Sequence, residues 1–533
     1  MRGAISWRLP SAMALPALLV IFMVTLPVGT ALFAGLTVGG GSTWDHILTN
    51  RLLPYTATTL FVLGLSAVLM LAFAVPAAWL VSRYEFPGRR FFSWALILPL
   101  AMPGYVMAYA WADLAASPGP LQSALRDATG WSARDYWFPN MSSAPGLAFV
   151  LASTLFPYVY ITARTAFSMQ TSTTLDAAKS LGANAWERFW RVGLPVAIPA
   201  ICGGLCLALM EAAADYGAAD FLGVQTLGVG IIRSWNSFGE PNTAARLALA
   251  LIMIAGAFFF AAQYLQGRGG TQHTGSKWQT PKRGRLSAQH SAIATVLCTL
   301  LLLVCFFVPV SRLIWLSLET RASTADLYPL LRATLILSSL GTGFALIAAF
   351  VFTLAAKNDG GLRFGTRLAA AAGYAAPGAV LGLGAVYILR ETGQALSASI
   401  AILLLLWIYV SRFASAGVEP LNATLDRLPK NLDNAARSLG SGRLARIWRI
   451  DLPLLAPGTF AAALILFVEI LKELPATLML RPTGWDTLAV RAHAYASDER
   501  FAQAMLPSLL IVLAGLAPVL LLSWRLSHSE RQS

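Results

Sequence analysis

Apolar runs of about 20 residues recur along the whole length of this chain, and they constrain its fold more than any other feature. A run of that length forms a helix long enough to cross roughly 30 Å of hydrocarbon. Of the 533 residues, 57% are hydrophobic and only 12% are charged, so charged residues are about half as frequent as in an average soluble protein. This composition excludes a soluble enzyme. We predict an all-α, polytopic membrane protein with about twelve transmembrane helices.

The distribution of positive charge predicts the orientation of these helices. The predicted spans cover residues 12–36, 57–82, 94–116, 146–168, 197–213, 245–266, 292–318, 332–356, 367–389, 397–416, 455–471 and 506–524. With the N-terminus inside, about two thirds of the Lys and Arg residues fall on cytoplasmic segments. We therefore expect an inner-membrane protein with both termini in the cytoplasm, and the net charge of +14 requires no nucleic-acid partner. The first span, at about 25 residues, exceeds a signal-peptide core and is interpreted as retained.

The chain contains two copies of one unit. Gly182 and Gly440 follow matching Ala-rich segments, at an offset of 258 residues. A second anchor, the Pro-Gly pair that ends at Gly104, recurs at Gly378 with an offset of 274. Because each copy has six spans, the copies are expected to run parallel, related by an axis along the membrane normal. The predicted domains are a first six-helix repeat, 1–266, a basic cytoplasmic linker, 267–291, and a second six-helix repeat, 292–533.

Each repeat has the same cytoplasmic loop between its fourth and fifth spans. The loop consists of an Ala-rich stretch, a glycine able to adopt positive φ, an amphipathic stretch with Trp and Arg, and a Leu-Pro pair expected to end it. This pattern predicts a helix-turn-helix on the membrane surface, where small alanines let another protein approach closely. A helix resting on anionic lipid would explain one such loop. Two copies with the same spacing favour a protein partner.

At these residues the chain resembles the permease subunits of binding-protein-dependent ABC importers, whose Glu-Ala-Ala loop has a glycine four residues after the second alanine. The resemblance implies two cytoplasmic ATPase subunits, each docked on one of these coupling loops, and one periplasmic substrate-binding protein. The coupling residues carried over are Asp176, Ala177, Ala178 and Gly182 in the first loop and Asn434, Ala435, Ala436 and Gly440 in the second. Asp176 and Asn434 stand where the family often has Glu. The chain has no G-x-x-x-x-G-K-[ST] motif, so we expect no cofactor on it and assign ATP and magnesium to the ATPase.

Acidic residues recur at the end of the fifth span of each repeat. Glu211 aligns with Glu469, and four residues later Asp215 aligns with Glu473. A charge at bilayer depth costs about 2.5–3.5 kcal/mol, so a functional or paired role is expected. The alternative is that Lys472 neutralises Glu469 or Glu473 and that Asp215 and Asp220 already lie in the outer loop. The predicted substrate path comprises Glu211, Asp215, Tyr216, Glu469 and Glu473, with Glu211 and Glu469 touching a metal ion transiently.

Shorter motifs resemble the fused twelve-span ferric-iron permeases. They are Asp-Tyr-Gly at 215–217, Lys-Glu-Leu-Pro-Ala-Thr at 472–477 and Tyr-Glu-Phe-Pro-Gly-Arg at 84–89. The resemblance covers most of residues 50–525 and implies import of ferric iron by one copy of the chain. A thiamine or polyamine importer shares this architecture, and its cationic substrate also suits the acids. An ion-coupled secondary transporter uses repeats and intramembrane acids too, but it has no reason to duplicate the cytoplasmic loop.

The remaining polar features lie mainly in the outer loops. The loops expected to contact the binding protein are 117–145, 217–244 and 476–505. The five histidines are scattered, and a solitary histidine in a loop is usually solvated. His493, near Tyr495 and Asp498 in the last outer loop, is the one with neighbours suited to iron or to the binding protein. The four cysteines lie in apolar runs, so neither disulfides nor a cysteine metal site is expected.

Overall fold

The computed structural model describes residues 14–37, 42–170, 180–182, 184–269, 283–319, 324–358, 360–425, 438, 442 and 446–532. Within this part of the chain, ten helices are long and apolar enough to cross a membrane. Two further pairs of helices, each sharply bent, bring the number to twelve if each pair is one span. The prediction of an all-α polytopic protein with about twelve spans is confirmed.

The described residues are mainly helical. The α-helices are Ala14–Thr37, Ser42–Asn50, Leu52–Arg83, Arg89–Ala95, Gly104–Ala115, Pro120–Thr129, Ala144–Met169, Ala185–Glu187, Leu194–Ala214, Gly217–Phe221, Leu227–Asn236, Pro241–Gly269, Ala288–Leu302, Val308–Glu319, Thr324–Asn358, Gly360–Ala375, Gly378–Glu391, Ala398–Leu425, Leu452–Leu471, Pro475–Leu480, Leu488–Ser497 and Phe501–Gln532. A 3₁₀ turn lies at Leu98–Ala101, and wide π turns lie at Arg188–Gly193, Leu303–Phe307 and Ile447–Asp451.

Packing divides the chain into two compact units. The first span of each repeat belongs to the unit that contains the middle spans of the other repeat. One unit comprises residues 1–39 and 328–487, and the other comprises residues 40–327 and 488–533. The first helix of the chain therefore packs among helices of the second repeat, where Val24 is buried beside Phe352. The first span of the second repeat packs in the other unit, where the Arg312 guanidinium bonds the Asp113 carboxylate at 2.5 Å. The repeat boundaries 1–266, 267–291 and 292–533 concern the sequence and remain predictions.

The third span of each repeat is broken. Single helices were expected at 94–116 and 367–389, but the two parts of each span meet at angles of 94° and 103°. Each break falls at the duplicated Pro-Gly pair. Proline lacks an N–H and disfavours helical backbone in the preceding residue, and Met102 before Pro103 is accordingly extended, with φ −101° and ψ 117°. The Pro-Gly pair that recurs in the two repeats thus marks the bend in each third span.

A small parallel bridge joins two segments that were predicted to be cytoplasmic. Tyr84–Glu85, just after the second span, pairs with Gly284–Arg285 at the end of the linker. The Arg283 guanidinium lies 3.3 Å from the Glu85 carboxylate beside this bridge. The pairing requires both segments to lie on one side of the membrane, as the alternating arrangement of spans predicts.

Candidate functional site

The first coupling loop makes the predicted turn at its glycine. Gly182 adopts a φ of +87°, a conformation that residues with a Cβ rarely adopt. The coupling residues Asp176, Ala177 and Ala178 lie outside the described residues. Beside the turn, Leu181 is 88% exposed, and the nearby indoles of Trp186 and Trp190 are also exposed. The loop therefore presents an apolar surface suited to another protein.

The arm that follows this turn runs directly into the fifth span. Asn184 and Glu187 form a reciprocal capping box at its start. The Leu-Pro pair was expected to end the arm, but that expectation is wrong because the helix Ala185–Ala214 passes through it. The π turn Arg188–Gly193 changes to α-helix at the Leu-Pro pair, so the proline lies in the first turn of the α-helical part Leu194–Ala214. A proline at that position loses no α-helical hydrogen bond. The arm and the fifth span therefore form one continuous helix.

The second coupling loop has the same arrangement where it is described. The π turn Ile447–Asp451 leads without a break into Leu452–Leu471, and Trp448 is exposed on it. The coupling residues Asn434, Ala435, Ala436 and Gly440 lie outside the described residues. The coupling assignment of these four residues, like that of the first loop's alanines, remains a prediction.

Asp215 lies where the fifth span of the first repeat meets the break in the third span. Its carboxylate accepts a hydrogen bond from the backbone N–H of Ala218 at 2.9 Å, in the first turn of the short helix Gly217–Phe221. A Cβ atom on Gly104 would lie 2.5 Å from the other carboxylate oxygen. Asp215 therefore caps one helix and fills the space beside the start of another.

Glu473 has the equivalent position in the second repeat. Its carboxylate accepts hydrogen bonds from the N–H groups of Ala476 and Thr477, at 2.9 and 3.0 Å, and from the Thr477 hydroxyl at 2.6 Å. A Cβ atom on Gly378 would lie 2.6 Å from Oε1 of Glu473 and 2.6 Å from Nη1 of Arg412. The second pair of aligned acids thus has a structural role in both repeats.

The first pair of aligned acids has a different setting. Glu211 is half-buried near the end of Leu194–Ala214. Glu469 is paired with the Lys472 ammonium at 2.8 Å, and both side chains keep about a fifth of their surface exposed. The structure thus pairs Lys472 with Glu469. The transport roles of Glu211 and Glu469 remain predictions.

A buried polar cluster surrounds His493. The prediction placed this residue in an outer loop, but it lies on the helix Leu488–Ser497 and is 4% exposed. One ring nitrogen lies 3.0 Å from the Tyr109 hydroxyl and the other lies 3.3 Å from the Asp220 carboxylate. The Tyr216 hydroxyl donates to the same Asp220 oxygen at 3.0 Å. Tyr216, a predicted path residue, is thus joined to residues 107 and 277 positions away along the chain.

The described residues contain no cluster of three or more His, Cys, Asp or Glu side chains able to hold a metal ion. The oxygen and nitrogen atoms around Asp220 and His493 are instead held by hydrogen bonds to each other and to tyrosines.

The outer loop between the third and fourth spans is ordered by its own side chains. The Arg126 guanidinium donates to the Tyr136 hydroxyl at 3.1 Å, and Tyr136 donates to Gln122 at 2.9 Å. The Tyr136 ring also stacks on Trp131, at 6.1 Å between centroids. Hydrogen bonds from Ser132 hold the pKa of Asp135 below its usual range. Trp137 projects from this framework and is 84% exposed.

Comparison with known proteins identifies the family. The pattern of the family described as "Binding-protein-dependent transport system inner membrane component" matches residues 71–314 and again residues 341–532. The chain belongs to this family. The two matches confirm the duplication, and they make the chain a multi-pass inner-membrane permease of an ABC importer.

Several permeases resemble this one at low identity. An Fe(3+)-transport system permease protein of Haemophilus influenzae is 23% identical over 97% of this chain and 98% of its own length. A probable ABC transporter permease protein of Sinorhizobium fredii is 23% identical over 83% of this chain and 82% of its own. A sulfate transport system permease protein of Escherichia coli is 24% identical, but it covers 48% of this chain and 92% of its own length.

The permease also contains polar residues that the sequence reasoning missed. Tyr109 joins His493 from a distant part of the chain, and no local pattern marks it. Asp220 was expected only as an acid of the outer loop, and its contact with His493 was not predicted. Lys357 and the buried Asp451 form an ion pair beside the coupling segment of the second repeat. The duplication offered a signal for the lysine, because Arg83 stands at the equivalent position 274 residues earlier.

Proposed function

We propose that this permease moves ferric iron from a periplasmic binding protein into the cytoplasm. The observation that carries the proposal is the recurrence of acids at the end of the fifth span in both repeats, at Glu211 and Glu469 and at Asp215 and Glu473. Carboxylate oxygens suit a hard cation, whereas their charge would repel sulfate. The similarity to an Fe(3+)-transport permease over 97% of the chain supports the same substrate.

The two pairs of acids have different roles in this proposal. Asp215 and Glu473 are committed to capping short helices beside the broken third spans. Glu211 and Glu469 are the residues that guide the cation. Binding must be strong enough to admit the ion and weak enough to release it, so two carboxylates suit passage better than a closed cage.

The complete importer contains one copy of this chain, since one chain supplies both repeats. Two ATPase subunits bind ATP and magnesium and dock near residues 176–195 and 433–453, and both termini face them in the cytoplasm. One binding protein docks on the opposite face. A mass measurement of the assembled complex tests this composition, and two copies of the permease per complex would contradict it.

Uptake of radiolabelled ferric iron by proteoliposomes tests the substrate. The vesicles contain the permease with its ATPase, and the loaded binding protein is added outside. We expect ATP-dependent uptake that falls at least about tenfold in the Glu211→Gln/Glu469→Gln variant, equivalent to about 1.4 kcal/mol of lost stabilisation. Glu319→Gln is the matched control, because Glu319 is an exposed glutamate that accepts a hydrogen bond from the Trp315 indole on Val308–Glu319 and is not one of the aligned acids.

The same assay separates the proposed substrate from its competitors. Full iron uptake by the double variant would show that Glu211 and Glu469 are structural. Uptake of thiamine or spermidine, with none of iron, would overturn the ferric assignment in favour of a cationic organic substrate. ATP-independent uptake driven by an ion gradient would contradict the ABC mechanism itself.

A further inference from the structure

In the second repeat, a buried ion pair joins the coupling segment to the second span. Lys357 lies in the last turn of Thr324–Asn358, and Asp451 is the final residue of the π turn that leads into the fifth span. The Lys357 ammonium lies 2.9 Å from the Asp451 carboxylate, whose side chain is 2% exposed. Because the Asp451 side chain is buried and only a fifth of the Lys357 side chain is exposed, the attraction is screened less than that of a surface pair.

The first repeat joins the same two positions with different chemistry. Arg83 is equivalent to Lys357 and Gly193 is equivalent to Asp451, by the offsets of 274 and 258 that relate the repeats. Gly193 has no side chain to offer, so Gln170 bridges the gap. The Arg83 guanidinium donates to the Gln170 side-chain oxygen at 3.1 Å and to its carbonyl at 3.3 Å. The Gln170 amide donates to the Gly193 carbonyl at 2.7 Å.

An indole explains why the first repeat cannot use an acid at this position. A Cβ atom on Gly193 would lie 2.6 Å from the Trp79 ring. That ring is fixed between Phe167 and Phe189, with centroids at 5.1 and 5.2 Å. The second repeat has the smaller Thr353 at the position equivalent to Trp79, and there the residue equivalent to Gly193 is Asp451.

We propose that these two contacts are tethers that transmit motion of the coupling loops to the pore. Each tether joins the arm of the loop, already continuous with the fifth span, to the cytoplasmic end of the second span. An ATPase that displaces the loop therefore moves the second and fifth spans together. Lys357 and Asp451 act as positioning residues in this device, and so do Arg83 and Gln170. The inference rests on the proposed docking of ATPases at these loops.

Substitutions in the Lys357–Asp451 tether of the second repeat test the inference. The variants are Lys357→Met, Asp451→Asn and the exchanged pair Lys357→Asp/Asp451→Lys, each assembled with the ATPase. We expect transport per ATP hydrolysed to fall by about 2- to 30-fold in the single variants, with ATP hydrolysis retained. The exchanged pair should recover most of the loss. Arg283→Met is the matched control, because it breaks the ion pair with Glu85 elsewhere on the cytoplasmic side.

A distance measurement gives a readout that does not depend on the substrate. Spin labels at Phe460, on the fifth span, and at Ile347, on the second span, replace side chains that are 60% and 61% exposed. Addition of ATP should leave their separation unchanged with the native tether and broaden it in Asp451→Asn. An unchanged distribution in that variant, or an exchanged pair that stays uncoupled, would overturn the tether. Absence of iron uptake by the native complex would contradict the proposed substrate and leave the distance test intact.

Discussion

The Glu473 carboxylate occupies the space that a side chain on Gly378 would need, since a Cβ there would lie 2.6 Å from its Oε1 atom. Asp215 and Gly104 repeat the relationship at 2.5 Å. In both repeats an acid at the end of the fifth span therefore fits against a broken third span. Neither Gly104 nor Gly378 has a positive φ, so the backbone conformation does not require glycine at these positions. The close approach of the carboxylate does.

Alanine at Gly104 or Gly378 should destabilise the permease by about 1–3 kcal/mol, because the added methyl group displaces a carboxylate that is hydrogen-bonded in place. Thermal unfolding in detergent measures the change. Gly64→Ala is the control, since no atom lies within 4 Å of a Cβ at this helical glycine. It should stabilise the protein by about 0.5–1 kcal/mol. Equal effects at all three positions would show that the close approach is unimportant.

Valine at Gly182 should uncouple ATP hydrolysis from transport while leaving the spans folded. Space is not the constraint, because no atom lies within 4 Å of a Cβ at this position. The constraint is the φ of +87°, which a β-branched residue resists and asparagine tolerates better. Binding-protein-stimulated ATP hydrolysis should therefore be lost in Gly182→Val and largely kept in Gly182→Asn. Full stimulation of the valine variant would refute the role of this turn.

Alanine at Trp137 should weaken binding of the periplasmic protein by about 10- to 30-fold, as expected for an aromatic anchor at the centre of an interface. Trp137 is exposed on the outer loop that hydrogen bonds around Tyr136 hold in shape. Surface plasmon resonance on permease in nanodiscs measures the affinity. Trp315→Ala removes another exposed indole, on a predicted span, and should leave the affinity unchanged. A native affinity in Trp137→Ala would indicate that the binding protein docks on another loop.

Removal of the hydrogen bonds that Tyr216 and His493 make to Asp220 should have non-additive effects on stability. Tyr216→Phe should cost about 1 kcal/mol, and His493→Leu about 1–3 kcal/mol, because each removes a partner of the Asp220 carboxylate. Since both partners share one oxygen atom, the double variant should depart from additivity by at least about 0.5 kcal/mol. Thermal unfolding of the two single variants and the double variant completes the cycle. Strict additivity would indicate that the contacts act independently.

The sequence predicted the features that depend on neighbours along the chain. A transmembrane helix is specified by about 20 consecutive apolar residues, so the spans were found without knowledge of the packing. The duplication and the glycine turn at Gly182 followed from spacing alone. The acids Asp215 and Glu473 were recognised as equivalent, but their close approach to Gly104 and Gly378 was not predicted, because no residue of the third span is their neighbour in sequence.

Sequence by itself thus determined the spans, their repetition and the family of this permease. Tertiary structure decided where each polar side chain found its partner. Lys357 and Asp451 are 94 residues apart, and Tyr109 and His493 are 384 apart, so their pairing depends on how the helices pack. Equivalent positions did not even guarantee equivalent contacts, because the Trp79 ring excludes a side chain at residue 193 and Gln170 takes its place. Hydrophobic length is a local property of the chain, whereas the partner of a buried polar group is fixed by distant residues.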